Sequence, residues 1–121
     1  MTEPKRVDPA FWSGRKVLVT GHTGFKGAWL TLWLRALGAR VSGLSDGVPT
    51  TPSLYELADV GRDVRDLRGD VRDGVALSAA VREAAPEVVL HLAAQPLVRR
   101  SFAAPAETYA VNVLGTANVL D

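Results

Sequence analysis

The stretch KVLVTGHTGFKG, residues 16–27, joins a short apolar run to a turn punctuated by glycines. The short apolar, β-branched run from Lys16 to Thr20 predicts a buried parallel strand. Gly21, Gly24 and Gly27 follow it in the spacing G-x-x-G-x-x-G. Residues 25–37 are apolar on nearly every face, which predicts a largely covered helix, and Gly38 is the expected stop at its C-terminal end.

Together the strand, the turn and the helix predict a phosphate-binding loop. A backbone that a pyrophosphate approaches closely needs glycine at the points of contact. The N-terminus of the helix then offers unpaired N–H groups and a partial positive charge. The alternative is a tight strand-to-helix turn that binds nothing, but the flanking strand and helix favour the phosphate-binding interpretation.

Outward from this loop, short apolar strands alternate with helices. This order predicts an α/β fold: a Rossmann-type, doubly wound parallel sheet with helices on both faces. The further strands are expected at residues 41–44, 64–67 and 88–92, and the further helices at residues 53–58, 73–85 and 108–120.

The chain divides into two expected regions. Residues 1–15 form an N-terminal leader that packs Phe11 and Trp12 onto the domain, and residues 16–121 form the first part of a cofactor-binding domain. The last helical pattern reaches Asp121 without a stop signal, so we expect the domain to be incomplete in this chain.

Composition and charge exclude several classes of function. The chain has 121 residues, 47% of them hydrophobic and 22% charged, which is typical of one soluble globular domain. A net charge of +1 gives no electrostatic footprint for nucleic acid or for a membrane surface. No signal peptide or membrane-spanning run is evident, so we expect a cytoplasmic protein.

Metal and thiol chemistry are not expected. The absence of cysteine excludes disulfides, thiolate metal sites and a cysteine nucleophile. The two histidines, His22 and His91, are too few for a histidine metal cluster. We therefore expect no metal site.

Polar side chains follow three of the predicted strands. Asp46 lies past the second strand, where it either binds the adenosine ribose hydroxyls or caps its own turn. Asp70 follows the third strand and could accept a hydrogen bond from the adenine amino group, whereas Asp73 is expected to cap the next helix. His91 is either a hydrogen-bonded core histidine or a catalyst.

Two further sets of polar residues leave alternatives open. Asn112 lies within a predicted helix, where Asn lowers helix propensity, so it is either a surface residue or a buried polar tie. Arg99, Arg100 and Ser101 follow the fourth strand on the expected ligand side. They either contact a substrate phosphate or are solvated loop residues.

Several motifs together resemble the extended short-chain dehydrogenase/reductases, and the longer strings resemble the CDP-glucose 4,6-dehydratases within that group. His22 and Lys26 distinguish the glycine loop from the commoner form G-A-T-G-F-I-G. The resemblance covers nearly the whole chain. It is carried by Phe11-Trp12, residues 19–27, the segment 49–56 with its PSLYE, Asp70, residues 92–99 and Asn112-x-x-Gly115-Thr116.

The resemblance implies an NAD-dependent lyase of nucleotide-sugar metabolism and deoxysugar biosynthesis. CDP-glucose would lose water across C5 and C6, with NAD taking a hydride from C4 and returning it to C6, to give CDP-4-keto-6-deoxyglucose. The cofactor contacts that it implies, together with Asp46 from its position, are Gly21, Thr23, Gly24, Phe25, Lys26 and Gly27 for the pyrophosphate, Asp70 and Val71 for adenine, and Leu92, Ala93, Ala94 and Gln95 beside the nicotinamide.

The catalytic pair of the wider family, Tyr-x-x-x-Lys, is missing from this sequence. Four residues after Tyr55 comes Asp59, and four residues after Tyr109 comes Val113. We assign no catalytic residue, expect the pair and a substrate domain beyond residue 121, and expect this chain alone to be inactive. The alternatives are a related NAD(P)-dependent sugar-nucleotide epimerase or dehydratase, or a non-catalytic dinucleotide sensor. A homo-oligomer is expected for the full-length enzyme.

Overall fold

A four-stranded parallel sheet forms the centre of the molecule. The structure is a computed structural model that describes residues 2–121. The sheet has the strand order β3-β2-β1-β4, and every pairing in it is parallel. This confirms the predicted α/β fold with a Rossmann-type sheet. The strands are β1 (Lys16–Thr20), β2 (Arg40–Ser45), β3 (Arg65–Arg68) and β4 (Val88–His91).

Helices make the connections between successive strands. α1 (Pro9–Trp12) precedes β1, and α2 (Phe25–Ala36) joins β1 to β2. α3 (Leu54–Leu57) lies between β2 and β3, and α4 (Gly74–Ala84) joins β3 to β4. After β4 the chain forms α5 (Val98–Ala103), α6 (Pro105–Tyr109), a π-helical turn (Ala110–Leu114) and α7 (Gly115–Leu120).

Alternate side chains of β1 pack into two separate hydrophobic cores. Val17 and Val19 pack with Leu34 of α2 on one face of the sheet. Leu18 packs with Leu77 of α4 on the opposite face, where Val119 of α7 is also in contact. Successive residues of a strand point to opposite faces of the sheet. Helices cover both faces, as predicted, so β1 needs apolar residues at consecutive positions.

The ends of the helices follow the local rules that the sequence suggested. Gly38, which follows the C-cap residue Leu37 of α2, has φ +85°, the left-handed conformation that glycine adopts without strain. The Asp73 carboxylate accepts a hydrogen bond of 3.1 Å from the N–H of Ala76 and so caps α4. The Ser53 hydroxyl caps α3 by accepting from the N–H of Glu56 at 3.2 Å.

The prediction that α2 is largely covered is wrong for the described chain. Phe25, Trp29 and Trp33 are 72%, 55% and 54% exposed. These residues lie four apart and form one row along the helix, opposite the row that Ala28 and Leu34 bury against the sheet. The sequence alone could not show that only one face of α2 meets the sheet.

The N-terminal aromatic pair behaves differently at its two positions. Trp12 packs against the core cluster that contains Val17 and Val19, as expected. Phe11 is 46% exposed, so its predicted packing onto the domain is wrong. Its ring instead lies against Trp12, at 4.9 Å between centroids, and under the Arg15 guanidinium at 4.1 Å.

Two short helices, α1 and α5, were not predicted, and the last helical segment starts earlier than expected. α5 has no side-chain cap at its N-terminus and so carries no helix-start signal. α6 begins at Pro105, three residues before the predicted start, because proline fits the first turn of a helix. Within residues 2–121, no helix combines the length and the apolar character that crossing a bilayer requires.

Candidate functional site

The three glycines of the loop after β1 serve different purposes. Gly21 has φ +75°, and a Cβ there would lie 2.7 Å from the backbone nitrogen of Ala93. A Cβ at Gly27 would overlap the carbonyl oxygen of Gly21. At Gly24 the nearest atom to an added Cβ is that same oxygen, at an ordinary 3.5 Å. The fold therefore needs Gly21 and Gly27, whereas the missing side chain at Gly24 leaves space beside the loop.

The N-terminus of α2 faces this space with unpaired donors. Gly24 is the N-cap residue, and no side chain caps the helix there. The N–H of Ala28 makes the first bond of the helix, 2.8 Å to the Gly24 carbonyl. Within the part of the chain that the structure describes, the N–H groups of Phe25, Lys26 and Gly27 have no acceptor. Such donors at a helix N-terminus fit a phosphate group.

His22, although it belongs to the loop, does not face this space. Its imidazole is fully buried, and Nε2 lies 2.6 Å from Oδ1 of Asp66. The other oxygen of Asp66 accepts from Tyr55 and Arg68, both at 3.0 Å. The ring occupies the position that a Cβ of Gly43 would need. Burial lowers the pKa of His22 and outweighs the opposing effect of Asp66, so the histidine is neutral. Its buried ring supports the loop.

Thr23 and Asp46 connect the loop to the end of β2. The buried Thr23 hydroxyl donates to the carbonyl of Gly47 at 2.7 Å, and its oxygen lies 3.0 Å from Ser45 Oγ. A contact between Thr23 and a ligand would therefore come from its backbone. Asp46 is exposed, and its carboxylate accepts no hydrogen bond from residues 2–121, so the structure shows no capping of its own turn.

The segment after β3 holds two of the predicted adenine contacts. The Asp70 carboxylate is paired with Arg72, which holds the pKa of Asp70 below its usual range. Val71 is buried, and its carbonyl accepts from the Asn118 amide at 2.8 Å. A Cβ at Gly115 would lie 2.6 Å from Cγ2 of Val71. Helix α7 therefore fixes this segment. The roles of Asn118 and Arg72 were not predicted from the sequence.

His91, at the end of β4, is part of a hydrogen-bonded chain. Its Nδ1 lies 2.6 Å from the Thr20 hydroxyl and its Nε2 lies 3.1 Å from the Thr116 hydroxyl. Thr116 donates its proton to the carbonyl of Asn112 at 2.6 Å, so Nε2 of His91 must be the protonated nitrogen. Burial lowers the pKa of His91. These contacts agree with the core-histidine alternative.

The loop from Leu92 to Gln95 is fixed at both ends. The N–H groups of Leu92 and Ala93 donate to the Thr20 hydroxyl at 3.1 and 3.2 Å. At the other end, Asn112 accepts from the N–H of Gln95 at 2.8 Å and donates to its carbonyl at 3.2 Å. Of the two alternatives, Asn112 is thus the polar tie to neighbouring backbone, although it is half-buried and not fully buried. Small alanines between these anchors leave room at the carboxyl edge of the sheet, where ligands of such folds bind.

The basic residues after β4 separate into paired and unpaired groups. Arg100 makes two hydrogen bonds to Glu107, of 3.0 and 2.7 Å, and so joins α5 to α6. The Ser101 hydroxyl donates to the carbonyl of Val98. Arg99 is exposed and forms no ion pair within residues 2–121. Of the three, Arg99 alone keeps its charged group available for a substrate phosphate.

A family model described as GDP-mannose 4,6 dehydratase matches residues 18–121. The CDP-glucose 4,6-dehydratase of Salmonella typhimurium is 49% identical over 95% of this chain and 32% of its own length. The dTDP-glucose 4,6-dehydratase of Xanthomonas campestris is 34% identical over 86% of this chain and 30% of its own length.

The solved structures give the same result. The UDP-glucose 4-epimerase of Thermus thermophilus, solved in complex with NAD, matches with a TM-score of 0.76 and 36% identity, over 86% of this chain and 32% of its own. The chain spans about a third of the length of the relatives it matches.

The parallel sheet, the helices on both faces and the glycine loop at the carboxyl end of β1 define a Rossmann-type domain of the short-chain dehydrogenase/reductase kind. More narrowly, the chain belongs to the GDP-mannose 4,6 dehydratase family of sugar-nucleotide enzymes.

Proposed function

We propose that this chain is the NAD-binding portion of a sugar-nucleotide 4,6-dehydratase that converts CDP-glucose to CDP-4-keto-6-deoxyglucose. The observation that carries the proposal is the open space at Gly24 beside three unpaired N–H groups of α2. A dinucleotide pyrophosphate has the charge and the hydrogen-bond acceptors that this arrangement requires.

The proposed cofactor contacts follow the carboxyl edge of the sheet. The N–H groups at the start of α2 would bind the pyrophosphate, with the exposed Lys26 adding positive charge. The unpaired carboxylate of Asp46, at the end of β2, would bind the ribose hydroxyls. Asp70 and Val71 would bind adenine, and Leu92, Ala93, Ala94 and Gln95 would line the nicotinamide side.

In the proposed reaction, bound NAD supplies the hydride acceptor for C4 of the sugar. The described residues would bind and orient the cofactor, but neither Tyr55 nor Tyr109 is followed four residues later by the lysine that would make it a base for the C4 hydroxyl. Tyr55 donates its hydroxyl proton to Asp66, and burial and that carboxylate raise the pKa of Tyr55, which is unfavourable for a base. We propose that a Tyr-x-x-x-Lys pair and the substrate domain are contributed by sequence beyond residue 121.

Substrate choice is proposed from similarity. Identity is higher to the CDP-glucose enzyme, at 49%, than to the dTDP-glucose enzyme, at 34%. The same proposal gives a cytoplasmic homo-oligomer with CDP-glucose as its small-molecule partner. A second candidate is a sugar-nucleotide 4-epimerase, which the 36% identity to the Thermus thermophilus enzyme favours.

The test is turnover by the intact protein. It would be incubated with NAD and either CDP-glucose, dTDP-glucose or UDP-glucose, and the 4-keto sugar would be measured by its absorbance in alkali. We expect kcat/KM to be at least about tenfold higher for CDP-glucose, a difference of about 1.4 kcal/mol. Conversion of UDP-glucose to its C4 epimer would establish the second candidate instead. NAD binding without turnover of any sugar nucleotide would establish a sensor.

A further inference from the structure

Arg72 holds the Asp70 carboxylate from two sides. Its backbone N–H donates to Oδ1 at 2.9 Å, and its Nε lies 3.0 Å from both carboxylate oxygens. Its Nη2 lies 2.5 Å from Oδ2. The planar guanidinium matches a carboxylate in this way, whereas a lysine ammonium could not span both oxygens.

The Arg72 guanidinium is also affected by the charge of acidic groups other than Asp70. The carboxylates of Asp70, Glu107 and Asp46 all raise the pKa of Arg72. Asp46 follows β2 and Glu107 belongs to α6. Of these groups, Asp70 alone makes hydrogen bonds with Arg72. The hydrogen bonds of the guanidinium therefore orient the Asp70 carboxylate.

The backbone next to Asp70 supplies the complementary group. Within residues 2–121 the N–H of Val71 has no hydrogen-bond acceptor, while the Val71 carbonyl is fixed by Asn118. A carboxylate acceptor beside an N–H donor matches adenine, which donates from its 6-amino group and accepts at N1. Hypoxanthine presents the reverse pattern, a carbonyl acceptor at C6 and an N–H donor at N1.

We propose that Arg72 is a positioning residue that orients the Asp70 carboxylate for adenine, and that it thereby makes the site select adenine over hypoxanthine dinucleotides. The Asp70 side chain is 30% exposed, and without the Arg72 guanidinium only the backbone N–H of residue 72 would hold it, at Oδ1. Ordering a free side chain on binding weakens affinity by about twofold to tenfold, and a carboxylate already held in place avoids that loss. This inference rests on the proposed binding of NAD.

The experiment compares two dinucleotides on the intact protein by calorimetric titration. The ligands are NAD and nicotinamide hypoxanthine dinucleotide, which differ at the purine alone. The variants are Arg72→Met, Asp70→Ala and the double variant. Arg82→Met is the matched control, because Arg82 is exposed on α4 and forms no ion pair within residues 2–121. Arg72→Gln is the second variant if Arg72→Met fails to fold.

The expected result has two parts. Arg72→Met should lower NAD affinity about threefold to tenfold and leave the affinity for the hypoxanthine analogue within about twofold. In the Asp70→Ala background, Arg72→Met should have no further effect, because its action passes through Asp70. A loss of overall stability would weaken both ligands equally and would not change their ratio.

Three results would overturn the inference: unchanged NAD affinity in Arg72→Met, equal weakening of both dinucleotides, or effects of the two substitutions that simply add. Each of these leaves NAD binding by the wild-type protein intact. Failure of the proposed function is distinct from all three, because the wild-type protein would then bind neither dinucleotide.

Discussion

Replacing Gly24 with alanine tests whether the loop after β1 is shaped for a ligand. The backbone at Gly24 has φ −76° and ψ 170°, which any residue adopts, and the added methyl would touch only the Gly21 carbonyl at 3.5 Å. Alanine should gain about 0.4–1 kcal/mol from a more restricted unfolded chain. It should lose a similar amount as a poorer N-cap. The free energy of unfolding should therefore change by less than about 1 kcal/mol.

The effect on cofactor binding should be much larger. The methyl would enter the space beside the free N–H groups of Phe25, Lys26 and Gly27 and keep the pyrophosphate from them. A hydrogen bond to a charged group contributes about 1.5–3 kcal/mol. Losing one of them should weaken NAD binding about tenfold to a hundredfold, and Gly24→Val should abolish it.

The assay is calorimetric titration with NAD, paired with thermal unfolding of the same samples. Gly47→Ala is the matched control, because an added Cβ there meets no atom within 4 Å. The control should bind NAD like the wild-type protein. Undiminished NAD affinity in Gly24→Ala, or the same loss in Gly47→Ala, would refute the assignment of the pyrophosphate to this loop.

Three further predictions concern the fold and the adenine segment. Gly27→Ala should lower the free energy of unfolding by about 3 kcal/mol in urea titrations, because its methyl would overlap the Gly21 carbonyl; a variant as stable as the wild type would contradict this. Asp70→Ala should weaken NAD about tenfold to a hundredfold by calorimetry, and no change would make Asp70 purely structural. Burial lowers the pKa of His22 and His91, so their contribution to stability is present above about pH 6.5 and is lost as the pH falls below it. A free energy of unfolding that rises as the pH falls from 7 to 5.5 would contradict the neutral forms of His22 and His91.

The sequence predicted the elements whose signals are local. β1 begins and ends at the predicted residues, and Gly38 and Asp73 end and begin helices as their residue types suggest. Apolar runs and glycine or capping chemistry act within a few residues, so a single sequence carries them.

Contacts between residues far apart in the chain could not be predicted from the sequence. His22 is buried against Asp66, 44 residues later, and Val71 is held by Asn118, 47 residues later. Even the pairing of Asp70 with Arg72 depends on a turn that brings residues two apart onto the same side. The exposed row of Phe25, Trp29 and Trp33 shows the same limit, since an apolar residue does not specify which element covers it.

The central claim is that the N-terminus of α2 binds the pyrophosphate of NAD, and hydrogen–deuterium exchange of the intact protein tests it most directly. The amides of Phe25, Lys26 and Gly27 have no acceptor within the described residues and should exchange quickly without cofactor. Saturating NAD should slow their exchange at least about tenfold, with little change at the Gly47 amide. NAD binding that leaves these three amides unprotected, or no binding at all, would contradict the claim.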